Sequence, residues 1–462
     1  MGREWLSRGR PAQHGDNSVR GQRVRGNTVL NFVEQRERLF LWLGAISAIA
    51  LRAAWALVRP GSSSTGEAHE VAVAIASGRG FADAFRVGEG PTDHLMPTTP
   101  AFAGAIYSIF GIDTPTAEFI LWAVATALAV SSYLLYYRAF GRAGAPRWAR
   151  LLAFWFLCLA PTYLQQESTD FRVWDGALAA FLCALFLDRL LALRATGTIG
   201  LADIVKMALL AAAAFFTKPP AGIGLYAAAG LLCITHLRGR AFATAMMAAA
   251  LALALFLVPW GLRNEAVMGK FMPMRDNAGL ELALSQYEGA LAPIDGQVRR
   301  MKRFDEIHPS RKPYKFVTMG EVAYYQMLGA DTKEWMREHP AQVREILIMH
   351  LGQIITPPPW LFRLWGSGTM ATFRALCATA ATILGLLGLT AGLLSRQRRE
   401  WVYVAAVVLP PLLAYLLFQP LPRYIYLFYA PFAFSATGLV LLGRSLGSLN
   451  SVNENTSKIT GT

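Results

Sequence analysis

The chain has 462 residues, of which 54% are hydrophobic and only 16% charged, and its formal charge is +14. A soluble domain carries about 25% charge, so an ordinary soluble enzyme is excluded; apolar runs of about 20 residues recur instead, as in a polytopic membrane protein. The positive excess does not point to nucleic acid, because the Arg residues cluster between apolar runs, as in cytoplasmic loops.

Residues 1–38 are polar and Arg-rich and read as a disordered cytoplasmic tail; there is no cleavable signal, since the first apolar run, 39–58, is long enough to span. Arg52 lies inside that run, near enough to its end to snorkel. The loop 59–115 follows and gathers Glu67, His69, Glu70, Asp83, Glu89, Asp93 and His94. Within it, residues 67–77 are amphipathic and predict a surface helix ended by Gly78-Arg79-Gly80. Residues 98–110 are apolar but short for a span. A crossing there would put Arg138, Arg142, Arg147 and Arg150 outside, so the segment reads as a membrane-seated helix that does not cross.

Further spans are expected at 116–137, 149–164, 175–193, 203–217, 220–236 and 241–260, completing an N-terminal membrane module over 39–262. A hydrophilic outer region, 263–368, precedes a C-terminal module, 369–445, with spans at 370–394, 401–418 and 424–442; a polar cytoplasmic tail, 446–462, ends the chain. The outer region predicts helices at 320–328 and 332–355 with a break at His339-Pro340, and a rigid Pro357-Pro358-Pro359 return to the membrane. The expected fold is an all-α polytopic membrane protein with about 10 (8–13) transmembrane helices, membrane-seated helices in the first outer loop and one large helical outer loop. Cys158, Cys183, Cys233 and Cys377 each fall in an apolar run and read as small buried hydrophobes.

With the N-terminus inside, the inner loops hold Arg138 to Arg150, Arg189, Arg194, His236 to Arg240 and Arg396 to Arg399, while the short outer turns hold little beyond Arg172, Lys218 and Arg423. This one orientation satisfies every short loop. It places Glu67, His94, Glu167, Asp170, Asp175, Lys218, Arg263 and Arg423 on the outer face, so acids and bases from separate loops can meet there.

No Walker loop, dinucleotide fingerprint, HExxH or CxxC pair is present. Glu67 opens a predicted helix, where an acid also suits the helix dipole, and Glu70 one turn on shares that reading. Asp175 opens a span and reads as an N-cap or as a functional acid, since a carboxylate at membrane depth is costly without a partner. Glu167 and Asp170 read as acids of a solvated loop. His94 is a candidate for phosphate, acceptor or metal, against the structural role usual for a lone histidine. Lys218 is held at the interface by Pro219-Pro220 and either snorkels or meets phosphate. The guanidinium of Arg423 suits phosphate better.

Four stretches resemble the GT-C class of integral-membrane glycosyltransferases, and within it the family 39 or PMT-like branch that includes aminoarabinose transferases of lipid A. They are GEAHEVAVAIASGRGF, DHLMPTTPAFAGAIYSIFG, PWGLRNEAVMGKFMPMRDNAGLELAL and PRYIYLFYAPF. The resemblance implies a polyprenyl-phosphate sugar donor, an inverting transfer to a lipid, glycan or protein acceptor, and a site at the outer face of a bacterial inner membrane. It implies a first-loop acid as base, which maps to Glu67, and a second acid, which maps to Asp175 or Glu167. Some relatives use a divalent metal, for which Glu67 and Asp175 are the ligands on offer; no other cofactor is implied. Lys218, Arg423 and His94 are expected at the donor phosphate, with Glu70, Glu167, Asp170, Arg263 and Tyr424 as accessory or acceptor-side groups. In one departure, Ser62-Ser63-Ser64 stands where the family often has Asp. Two other readings stay open. One is a transporter or flippase, against which the one-sided polar groups count. The other is a non-catalytic protein on a GT-C-like fold.

Overall fold

The computed structural model describes residues 35–58, 66–365 and 368–443. The serine run 62–64, the C-terminal tail and all of the basic tail before residue 35 lie outside the described residues. Helices of eight or more residues are numbered in chain order: α1 (Glu37–Val58), α2 (Glu67–Ala76), α3 (Thr98–Phe110), α4 (Pro115–Arg142), α5 (Arg147–Leu159), α6 (Gly176–Thr196), α7 (Leu201–Thr217), α8 (Pro219–His236), α9 (Gly239–Met268), α10 (Ala278–Ser285), α11 (Gly296–Ile307), α12 (Glu321–Glu338), α13 (Pro340–Ile355), α14 (Gly368–Leu394), α15 (Arg398–Ala414) and α16 (Pro422–Ser435).

All ten segments expected to span are helical, but among the described residues six are long and apolar enough to cross a membrane: α1, α4, α6, α9, α14 and the stretch Pro422–Gly443 that starts with α16. The other four are shorter, α5 having 13 residues, α7 17, α8 18 and α15 17. Thirteen residues reach about 20 Å, short of a hydrocarbon core of about 30 Å. α5 ends at Leu159 rather than at 164 because Ala160 precedes Pro161 and is extended (φ −66°, ψ 129°), the conformation a following proline imposes. The two helices of the first loop, α2 and α3, pack on each other. α2 closes where expected, with Gly78 and Gly80 at positive φ and Arg79 N–H returning to the Ala74 carbonyl.

In the bundle α4 lies along α6, α7 along α9, α8 along α15 and α14 along α16. The last pair approaches through glycine: a Cβ on Gly388 would collide with the Ser435 carbonyl, and one on Gly438 with that of Gly388, the small-residue contact that membrane helices use for close packing.

The loops sort to two ends of the bundle. At one end Arg142 and Arg138 pair with Asp188, Arg194 with Glu400 (3.1 Å), and Trp401 Nε1 donates to the Ala143 carbonyl (3.0 Å). At the other, Arg172 pairs with Glu118 (2.6 Å) and Lys218 with Asp175 (2.7 Å). α4 and α6 each contribute to both ends. The segments expected on opposite membrane faces therefore sit at opposite ends of the same helices.

Two residues lie elsewhere than expected. Arg52 does not snorkel; it is fully buried, with Nη2 2.5 Å from Glu167 Oε2. Glu167 is not a solvated loop acid. It sits on a one-turn helix, Leu164–Ser168, sunk into the bundle, and accepts from the Tyr133 hydroxyl and from Tyr426 (2.9 Å). The physical reason is pairing: each charge supplies the partner that makes burial of the other tolerable. Removing one partner of such a pair costs about 3–5 kcal/mol. Arg52→Met is expected to lose about that much stability in detergent-solubilised unfolding, and Arg52→Met/Glu167→Leu is expected to recover most of it. Equal losses in the single and double variants would contradict the pairing.

Candidate active site

The stretch Pro259–Leu284 builds the site by clamping the first loop. Arg263, at the end of α9, donates to the carbonyls of Thr92 (2.9 Å) and Phe81 (2.5 Å). Trp260 Nε1 donates to Asp93 Oδ1 (2.8 Å), and Asn264 Nδ2 to the Met272 carbonyl (2.7 Å). From α12, Glu321 accepts from the Thr92 hydroxyl (2.6 Å) and the Asp93 N–H (2.8 Å). Burial pushes the Asp93 carboxyl up to about 8 and that of Glu321 up to about 7. The clamp leaves the 93–94 segment turned toward Glu67.

A cavity of about 220 Å³ opens there, lined by Glu67, His94, Glu281, Arg300, His308 and Arg423, with Leu284 and Phe304 among its apolar walls. Glu67 is the first residue of α2, its side chain 14% exposed, and His308 Nε2 lies 3.3 Å from its Oε1. The Ser310 N–H donates to His308 Nδ1 (3.3 Å), which leaves the ring proton on Nε2, facing Glu67. Burial pushes the Glu67 carboxyl up, but the hydrogen bond from His308 and the nearby guanidinium of Arg423 outweigh it and hold it well below the usual carboxylate range. His94 donates to or accepts from the Tyr325 hydroxyl (2.8 Å). Burial pulls its pKa down to about 3, helped by His308, Arg275 and Arg423 and opposed by Glu67. At neutral pH the cavity holds an ionised Glu67 beside a neutral His94.

The cationic side is under-neutralised. Arg423 lies over the Trp174 ring (4.2 Å), its Nη2 donates to the Tyr424 hydroxyl (3.3 Å), and its Nε has no partner among the described residues. Tyr424 in turn donates to Glu281 (2.7 Å). The guanidinium of Arg300 forms no hydrogen bond or ion pair among the described residues. Arg275 makes no side-chain hydrogen bond or ion pair there either, and lines a small crevice with Asp175, Trp174 and Pro219.

Of the residues singled out from sequence, Glu67, His94 and Arg423 share the cavity. Asp175 does not cap α6 through its side chain; it pairs with Lys218, which terminates α7 and begins α8 and whose ammonium burial pushes down. Asp170 lines neither the cavity nor the Asp175 crevice, and burial raises its carboxyl to about 6 against the pull of Arg423 and Arg374. Glu70 faces His69 (3.8 Å), away from the cavity lining, and Arg263 serves the clamp. Glu167 belongs to the Arg52 pair. His308, Arg300, Arg275 and Glu281 were not singled out. Arg275 and Glu281 lie inside the third family-like stretch, which was a signal; the pair Arg299-Arg300 and the lone His308 sit in no motif. Among the described residues no group of three or more His, Cys, Asp and Glu side chains gathers to hold a metal ion. Glu67 faces His308 and Asp175 faces Lys218, and the two acids line different pockets.

The depressed His94 sets a pH dependence. The unfolded chain protonates this histidine near its usual pKa of about 6.5, and the folded chain only near 3. Between these values the unfolded state binds more protons, so stability rises with pH by up to about 1.4 kcal/mol per unit. Denaturant unfolding between pH 4.5 and 6.5 is expected to show a shallower rise in His94→Gln than in wild type; identical slopes would contradict the burial of a neutral ring.

No protein-family model matches this sequence, and no curated protein sequence matches it. The structure is similar to solved structures of oligosaccharyltransferase from the archaeon Archaeoglobus fulgidus. One, named AglB and in complex with an inhibitory peptide and a dolichol-phosphate, is 14% identical with a TM-score of 0.50, over 92% of this chain and 52% of that one. A second, in complex with Zn and sulfate, is 15% identical with a TM-score of 0.51, over 88% and 49%. A third, in the apo form, is 12% identical with a TM-score of 0.51, over 90% and 52%. The chain spans about half the length of the structures it matches. At such identity the likeness shows the fold alone, a helical fold shared with these oligosaccharyltransferase structures.

Proposed function

We propose that the chain is a membrane glycosyltransferase with PMT-like motifs. It moves a sugar from a polyprenyl-phosphate donor to an acceptor hydroxyl at the outer face of a bacterial inner membrane. The observation that carries this reading is the cavity itself: an ionised Glu67 set against the guanidinium groups of Arg300 and Arg423, two positive groups without carboxylate partners, on a fold shared with oligosaccharyltransferase structures. A donor phosphate supplies the missing negative charge, and Arg forks bind phosphate in two-pronged geometry.

In the reaction the acceptor oxygen attacks the anomeric carbon, the bond from that carbon to the phosphate oxygen breaks, and polyprenyl phosphate leaves with the bonding pair. The acceptor's proton passes to Glu67. Its low pKa makes Glu67 a weak base, so the proton moves late, once the acceptor oxygen has bonded to the sugar and become acidic. A single displacement inverts the anomeric configuration. His308 holds the Glu67 carboxylate in position through Nε2–H. Arg423 and Arg300 stabilise the departing phosphate. The Lys218–Asp175 pair, with Arg275 in the same crevice, sets the position of the helix ends around it. No step runs through a metal.

The test uses purified protein in nanodiscs with labelled polyprenyl-phosphate sugars. Glu67→Gln is expected to lower kcat by about 10²–10⁴-fold while keeping donor binding. Arg423→Ala is expected to raise the donor KM by at least tenfold, with Arg423→Lys restoring only part of it because an ammonium lacks the fork. Wild-type kinetics in both Glu67→Gln and Arg423→Ala would overturn the reading.

A further inference from the structure

A groove of about 750 Å³ runs along the outer region beside the Glu67 cavity and takes no part in the chemistry above. The two share walls. α11 turns Arg300 and Phe304 to the cavity and Arg303, Glu306 and Ile307 to the groove. The chain leaving α10 puts Ser285 in the cavity and Gln286, Tyr287 and Glu288 in the groove. The groove and the Glu67 cavity therefore lie on adjacent sides of α11.

Its lining combines aromatic rings with acids and with the basic Arg303 and Lys315. Trp335 lines the groove and stacks on His339 (5.1 Å between ring centres, 16° between planes). Tyr287 carries Arg303 over its ring (4.9 Å), and Tyr314 stands 81% exposed. Glu288, Glu306 and Asp331 bring carboxylates to the same groove, that of Glu306 paired with Arg303 (3.4 Å). Gln286 is 1% exposed; its Nε2 donates to the Leu417 carbonyl (3.0 Å), and its Oε1 has no partner among the described residues. A buried amide oxygen of that kind calls for a donor.

Flat aromatic faces accept the C–H faces of pyranose rings, and carboxylate and amide oxygens accept their hydroxyl protons. The volume lies within the range of about 300–1,000 Å³ found for small-molecule sites. A peptide bound as an added strand needs a sheet edge; the walls here are the chain after α10, α11, α12 and the short helix Tyr314–Met319, with no strand among them.

We propose that this groove binds a glycan, and that the glycan is the acceptor whose hydroxyl reaches Glu67. The assignment rests on the transferase reading. The test titrates full-length protein in nanodiscs with four neutral tetrasaccharides (maltotetraose, cellotetraose, mannotetraose and chitotetraose) and with a tetrapeptide. Wild type is expected to bind at least one tetrasaccharide, and both Trp335→Ala and Tyr314→Ala to weaken that binding at least tenfold. Tyr314 is exposed, so its variant reads binding rather than folding. Binding of no tetrasaccharide, binding of the tetrapeptide alone, or tetrasaccharide binding that both variants leave intact would overturn the proposal. Cleavage of a labelled polyprenyl-phosphate sugar by wild-type protein, followed in the same preparation, separates the two claims. Cleavage without glycan binding removes the groove assignment alone; absence of both removes the transferase reading as well.

Discussion

The carboxylate of Glu167, buried between helices, constrains much of what surrounds it. Taking a charge out of water costs several kcal/mol even after relaxation, and here Arg52, Tyr133 and Tyr426 offset that cost together. Their helices, α1, α4 and α16, are thereby tied to the turn between α5 and α6. A second buried arginine, Arg374 on α14, donates to the Thr162 carbonyl (2.8 Å) and to Gln166 (3.0 Å) of the same turn. Arginines from the first and one of the last spans thus pin one turn. That turn carries Trp174 to Arg423 and Asp175 to Lys218, so the position of the site follows from the pinning of Glu167.

The first loop is held by a different device with the same logic. Arg263 and Trp260 reach from the end of α9 to the backbone and Asp93 of the loop, and Glu321 meets it from α12. Loops at a membrane surface are mobile unless their backbone groups are satisfied. Here side chains from two distant parts of the chain, the end of α9 and the start of α12, satisfy them, and the result is a fixed position for Glu67 and His94. The site so formed carries guanidinium groups without acidic partners. An enzyme that binds a phosphate ester benefits from such a deficit, because the substrate's charge then meets preorganised donors.

Much of this was legible in the sequence, for reasons of period and punctuation. The amphipathic run after Gly66 and the Gly78-Arg79-Gly80 stop gave α2, and the apolar 98–110 segment gave α3 within its observed limits. The asymmetry of basic residues separated the two ends of the bundle. What was not legible depended on partners far away in the chain. Arg52 looked like a snorkelling residue and Glu167 like a surface acid because each was read without the other, 115 positions apart by their numbering. His308 and Arg300 belong to no motif, and only the fold brings them to Glu67. The Pro259–Leu284 stretch was recognisable as a family-like pattern, yet its role as a clamp lies in bonds to residues 81 and 92, which no local pattern encodes.

The central claim is that a lipid phosphate binds between Arg300, Arg423 and Glu67. Photo-cross-linking with a polyprenyl-phosphate sugar bearing a diazirine on the sugar, followed by peptide mass mapping, tests it most directly. The account predicts adducts on residues of 280–308 and 419–423, suppressed by unlabelled donor and by Arg423→Ala. Adducts confined to other parts of the chain, such as the apolar cavity between α7, α8 and α9, would contradict it.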